Sequence, residues 1–141
     1  MNMKVLVAAL VGAVVAFLLG WLLWGMLLMG YYEANMIHYE GLMKSEEEFN
    51  LGLMFVGQLV LCLLLAFLFQ RMGTTDLMGG AMMGAVIGAL FYLSVDLSFL
   101  AMMNYFSTPM VAVVDVLVNT VWLAGPGAVI GLLLGRGKAA A

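Results

Sequence analysis

The sequence predicts an all-α fold: a four-helix transmembrane bundle built from two antiparallel hairpins, with both termini in the cytoplasm (N-in/C-in). Three observations carry this. Of the 141 residues, 66% are hydrophobic and only 9% are charged. A soluble domain averages about 25% charged, so so few charges cannot cover a water-facing surface. Four segments, at about 5–30, 51–69, 77–103 and 110–134, reach the ~20 apolar residues that cross a hydrocarbon core. Lys4, Arg71, Arg136 and Lys138 fall beside the termini and the middle loop, whereas only Lys44 falls on the other side, beside Glu46, Glu47 and Glu48. The positive-inside rule then turns the first loop, 31–50, outward. One domain, 1–141, accounts for the chain. Its net charge of -3 gives no reason to expect nucleic acid as a partner.

The first span is too long for the ~7–15 residue apolar core of a signal peptide. It also runs on into Trp21 and Trp24 rather than a small-residue cleavage site, so it reads as a retained helix. Gly12, Ala16 and Gly20 put a small residue every fourth position along it. Tyr31, Tyr32 and Tyr39, with Tyr105, mark the outer headgroup level. Glu33 and His38, with Tyr31 and Tyr105, are expected at an outer mouth. One His with two Glu at loop spacing falls short of the convergent ligands a metal needs, so no metal and no cofactor are expected.

The second span opens after Ser45 and Glu48, an S-x-x-E capping box. It carries Gln58 and the single cysteine, Cys62, which has no disulfide partner and reads as a small buried hydrophobe. Thr75 and Asp76 can cap the third span. Thr108 followed by Pro109 is an N-cap with proline in the first helical position, which forces a tight turn at 105–108. Gly80, Gly84 and Gly88 line one face of the third span, and Gly127, Gly131 and Gly135 line one face of the fourth. Such stripes let helix backbones approach closely in lipid, so the inner half is expected to pack tightly. Proline at 126 removes a helical hydrogen bond and frees the Trp122 carbonyl. A kink there would open the outer half into a cup.

Asp96 and Asp115 are the candidate functional residues. Each lies in a membrane-length apolar stretch without a Lys or Arg. A charge at membrane depth costs roughly 2.5–3.5 kcal/mol even on lenient scales. Counted from the turn between their helices, the two lie within about one helical turn in depth. Asn119 lies one turn from Asp115 on the same face, and Tyr92 one turn from Asp96. Gln58, Ser94 and Ser98 fall at similar depth. Two neighbouring carboxyls without a counter-ion cannot both ionise cheaply, so at least one is expected to hold a proton. The fourteen methionines read as packing residues rather than copper ligands. No nucleophilic triad, phosphate loop or haem ligand pair is present, which weighs against an enzyme.

Three stretches resemble an uncharacterised bacterial four-helix inner-membrane protein family, a domain of unknown function. They are Gly20-Trp21-Leu22-Leu23-Trp24-Gly25, the glycine repeat opening the third span, and Asp115 followed by Asn119. The resemblance covers nearly the whole chain. It implies a multi-pass protein of the bacterial inner membrane and brings no activity with it.

The leading expectation is a non-enzymatic membrane protein that binds a small ligand, ion or partner protein through a polar cup in its outer half, as a homo-oligomer or an accessory subunit of a membrane complex. The alternative is a proton- or cation-coupled transporter using Asp96 and Asp115. A lipid- or isoprenoid-modifying enzyme is third.

Overall fold

The computed structural model describes residues 2–136; Lys138, used above for orientation, lies outside them. Five α-helices follow one another: α1 (Met3–Leu22), α2 (Met29–Asn35), α3 (Leu51–Met72), α4 (Leu77–Met102) and α5 (Pro109–Gly135). Four helical segments are long and apolar enough to cross a membrane. There is no strand among the described residues, only one isolated bridge.

The number of helices corrects the expectation of four. The first apolar run leaves α-helical geometry at a π turn, Leu23–Leu27, closed by the Leu28 N–H donating to the Leu23 carbonyl at 2.8 Å. Leu28 then leaves helical geometry altogether (φ -113°, ψ 2°), and α2 starts after it as a separate helix. No proline marks this break, and every residue from Leu22 to Met29 except Gly25 is a large apolar side chain. Hydropathy therefore runs through it unchanged.

Local chemistry sets the other ends. Asp76 accepts from the Gly79 N–H at 2.7 Å and caps α4. Thr108 precedes Pro109 at the start of α5. Gly73, at φ 74°, closes α3 in the left-handed conformation that glycine adopts without strain. The Ser45–Glu48 box is present, but it organises a separate 3₁₀ turn, Glu46–Glu48. The Ser45 N–H and then its hydroxyl hold the Glu48 carboxyl below its ordinary range. Asn50 caps α3 itself, accepting from the Leu53 N–H at 2.9 Å.

The four long helices are not equivalent. α5 and α1 are the most buried, and α4 packs chiefly against α5. On its other flank α5 meets α1, which in turn packs on α3. The ends of the described stretch, Asn2 and Arg136, share one end with the 73–76 loop, where the Lys4 ammonium donates to the Leu134 carbonyl at 3.4 Å; we call it the terminal end. The 36–50 segment and the 103–108 turn form the opposite, loop end. They are stitched together by the Ile37 N–H to the Tyr105 carbonyl (2.9 Å) and the Ser107 N–H to the Asn35 carbonyl (3.0 Å).

At the terminal end α4 and α5 touch backbone to backbone. A Cβ built on Gly80 would collide with the Gly127 carbonyl, and one on Gly84 with the Leu123 carbonyl. On Gly88 it would lie 2.7 Å from the Asn119 carbonyl. In the opposite direction, Gly127 sits on Gly80, Gly131 on the Asp76 carbonyl and Gly135 on the Thr75 carbonyl. In α1, Gly12 meets Ile130 of α5 and lies near Cys62 of α3. Gly20 is different, and corrects its place in the packing stripe. A Cβ there would meet the Trp122 indole nitrogen at 3.5 Å, an ordinary contact. The α1 seam is instead alanine, with Ala8, Ala9, Ala13 and Ala16 fully buried.

Candidate functional site

α5 supplies the centre of the site. Asp115 and Asn119 lie one turn apart, and the Asn119 amide donates to the Asp115 carboxylate at 2.8 Å and to the Asp115 carbonyl at 2.9 Å. The other carboxylate oxygen of Asp115 accepts from the Tyr32 hydroxyl at 2.6 Å. That bond ties α2, outside the spans, to the middle of α5's polar face. Burial, and then the hydrogen bond to Asp115, push the Tyr32 hydroxyl above its ordinary pKa, so it remains a proton donor.

α4 brings in Asp96. Its carboxyl neighbours that of Asp115, and the residue is only 3% exposed. Its Oδ2 is buried without a hydrogen-bond partner. Unpaired buried oxygens are uncommon because each forfeits its hydration. Here the neighbouring group is another carboxyl, that of Asp115. Both oxygens of Asp115 already accept, from Tyr32 and Asn119.

An aromatic group closes over the pair toward the terminal end. Trp122 stands edge-on to Trp24 (5.6 Å between ring centroids) and to Tyr92 (6.4 Å). Its indole N–H donates to the Ala16 carbonyl at 2.8 Å, which locks α5 to α1 directly beneath the site. Pro126 is buried within a continuous α5. A groove of about 310 Å³ between α4 and α5 leads to Asp96 from the outside of the bundle.

The family model described as Protein of unknown function (DUF1761) matches residues 7–131. The chain belongs to the DUF1761 family. The matched stretch contains Tyr32, Asp96, Asp115 and Asn119, so the whole site lies inside the DUF1761 region. No curated protein and no solved structure matches the chain.

Around this DUF1761 site the sequence-derived candidates separate. Asp96, Asp115 and Asn119 come together, with Tyr92 beside Trp122. Ser94 and Ser98 do not join them. Both are exposed, and the Ser98 hydroxyl donates to the Ser94 carbonyl of its own helix at 2.9 Å. Two residues from Asp96 means a rotation of roughly 200° about the helix axis, which turns both serines away. Gln58 is half-buried on α3 and makes no hydrogen bond among the described residues; its helix packs on α1 and α5 rather than α4.

At the loop end, Tyr31 and Tyr105 pack on Phe106 and Val111. Glu33 is exposed, and its carbonyl pairs with the His38 ring at 2.9 Å. No group of three or more His, Cys, Asp or Glu among the described residues is placed to hold a metal ion.

Tyr32 and Trp122 are the residues that sequence reasoning missed. On an uninterrupted helix Tyr31, seven residues after Trp24, would share its face. A π turn accommodates one extra residue, and the break at Leu28 shifts the phase again. The inward position passes to Tyr32, whose hydroxyl lies beside the Trp24 indole.

Proposed function

We propose that this DUF1761 protein is a non-enzymatic, multi-pass protein of a bacterial inner membrane that binds a small ligand through its outer half. The site is the carboxyl pair Asp96–Asp115 sharing one proton. The termini lie in the cytoplasm, and the 36–50 segment and 103–108 turn face outward, a reading supported by Lys4, Arg71 and Arg136 at the terminal end. The observation that carries the proposal is the buried, unpartnered Asp96 Oδ2 beside an Asp115 whose two oxygens already accept from Tyr32 and Asn119.

Infrared spectroscopy of the protein in lipid tests this. A protonated-carboxyl band is expected at neutral pH, lost in Asp96→Asn. If no such band exists, or if it survives both Asp96→Asn and Asp115→Asn, the shared-proton site is wrong.

The π turn favours a second reading, a proton- or cation-coupled transporter working as an oligomer. Such turns are frequent at functional sites, and interrupted spans form the binding sites of many transporters. A pH-sensitive dye inside proteoliposomes decides it: an ion flux abolished by Asp115→Asn supports transport, and an unchanged internal pH across imposed gradients rejects it.

A further inference from the structure

We propose that the groove between α4 and α5 is a lateral entry site for a membrane-dissolved amphiphilic cation, a protonated amine on an apolar tail, whose ammonium group docks on Asp96. This rests on the carboxyl pair described above and names the ligand class it takes.

The groove is built solely from the loop-end halves of α4 and α5. Its walls are Leu93, Leu97 and Leu100 from one helix, and Val113, Val116 and Leu117 from the other. All but Val116 are exposed on the outside of the bundle, so the groove opens toward the surrounding acyl chains rather than into the bundle. Its volume of about 310 Å³ falls at the small end of ligand pockets, roughly 300–1,000 Å³. Every lining residue is apolar except Asp96. An apolar groove with one carboxyl at its floor suits a molecule that is apolar except for one polar head.

Charge selects among such heads. Two carboxyls sharing one proton leave one negative charge. No Lys or Arg lies on α4 or α5, and the Lys4 ammonium is engaged at the opposite end by the Leu134 carbonyl. A buried charge without a counter-ion is costly. Neither end of the bundle supplies one cheaply, because Tyr32 covers Asp115 from the loop side and Trp24, Tyr92 and Trp122 close the bundle toward the terminal end. An ammonium group arriving along the groove neutralises the pair while its tail stays in contact with leucine and valine. The shared proton stays in place. A neutral alcohol of the same length would gain the hydrogen bond but not the charge compensation.

The experiment is equilibrium binding to the full chain in phosphatidylcholine nanodiscs, with dodecylammonium and dodecanol as probes. Saturable dodecylammonium binding is expected, and dodecanol should compete about tenfold less well or worse. Asp96→Asn removes the carboxyl at the groove floor, and Asp115→Asn removes the charge; each should weaken dodecylammonium by about tenfold or more. Val113→Trp fills the groove from an exposed position and should abolish binding while leaving the carboxyl infrared band intact. Equal uptake of dodecylammonium by the wild type, Asp96→Asn and Val113→Trp would be membrane partitioning alone and overturns the inference. So does dodecanol binding as tightly as the amine. If the Asp96-dependent carboxyl band is present and binding is absent, the ligand assignment fails and the shared-proton reading stands. If the band itself is missing, both fail.

Discussion

The α4–α5 interface has two halves held by different physics. At the terminal end Gly80, Gly84 and Gly88 rest directly on the backbone of α5, with carbonyl oxygens where side chains would otherwise be. At the loop end the same two helices meet through Asp96 and Asp115, with Asn119 and Tyr32 completing the hydrogen bonds. The first half depends on the absence of atoms, and the second on the position of protons. A glycine seam tolerates no insertion but is indifferent to pH. A carboxyl cluster tolerates shape changes better and is sensitive to any change in donors.

The comparison is most easily broken at the glycine seam. Gly84→Ile places a branched side chain against the Leu123 carbonyl, and should cost about 3 kcal/mol. It should appear as a large fall in Tm and in the yield of monodisperse protein in detergent. A variant as stable as wild type would mean that α4 slides freely on α5. Next comes the floor between the halves. Trp122→Phe removes the indole donor to Ala16 and part of the edge contacts to Trp24 and Tyr92, for a loss of about 2 kcal/mol read from the same melts.

A smaller effect sharpens the polar half. Tyr32→Phe deletes the donor to Asp115 and should cost about 1 kcal/mol. Its pH signature is more telling than its size. The Tyr32 hydroxyl has a folded pKa above the ordinary 10.0, so its contribution is complete below that value and is lost as pH rises above it. Wild-type Tm should fall as pH rises above about 10, and Tyr32→Phe should remove part of that slope. The smallest effect serves as the control. Gly20→Ala adds its Cβ at ordinary contact distance from Trp122 and should stay within about 0.5 kcal/mol of wild type.

Much of this was legible in the sequence because depth is legible. Apolar length placed the four spans, and counting from the turn at 105–108 brought Asp96 and Asp115 to one level. Rotation about each helix axis was harder to read. Ser94 and Ser98 share the depth of Asp96 and face elsewhere. Gln58 shares it on a helix that packs chiefly with α1. Gly20 keeps the four-residue spacing without a neighbour close enough to need it. The hydrophobic pattern gives little help here, since nearly every position of a membrane-length helix is apolar and no polar face marks the outside. The break after Leu22 was hidden for the same reason, and with it the exchange of Tyr31 for Tyr32.

Cys62 is the only cysteine in the chain. It is fully buried where α1, α3 and α5 converge, opposite Gly12. A thiol in that position is a built-in clock. A small alkylating reagent reaches it only when α1 and α3 part, so its labelling rate under native conditions counts those openings. Because it sits away from the carboxyl pair, the same rate tells whether a ligand captured at one end of the molecule quiets the breathing of the other.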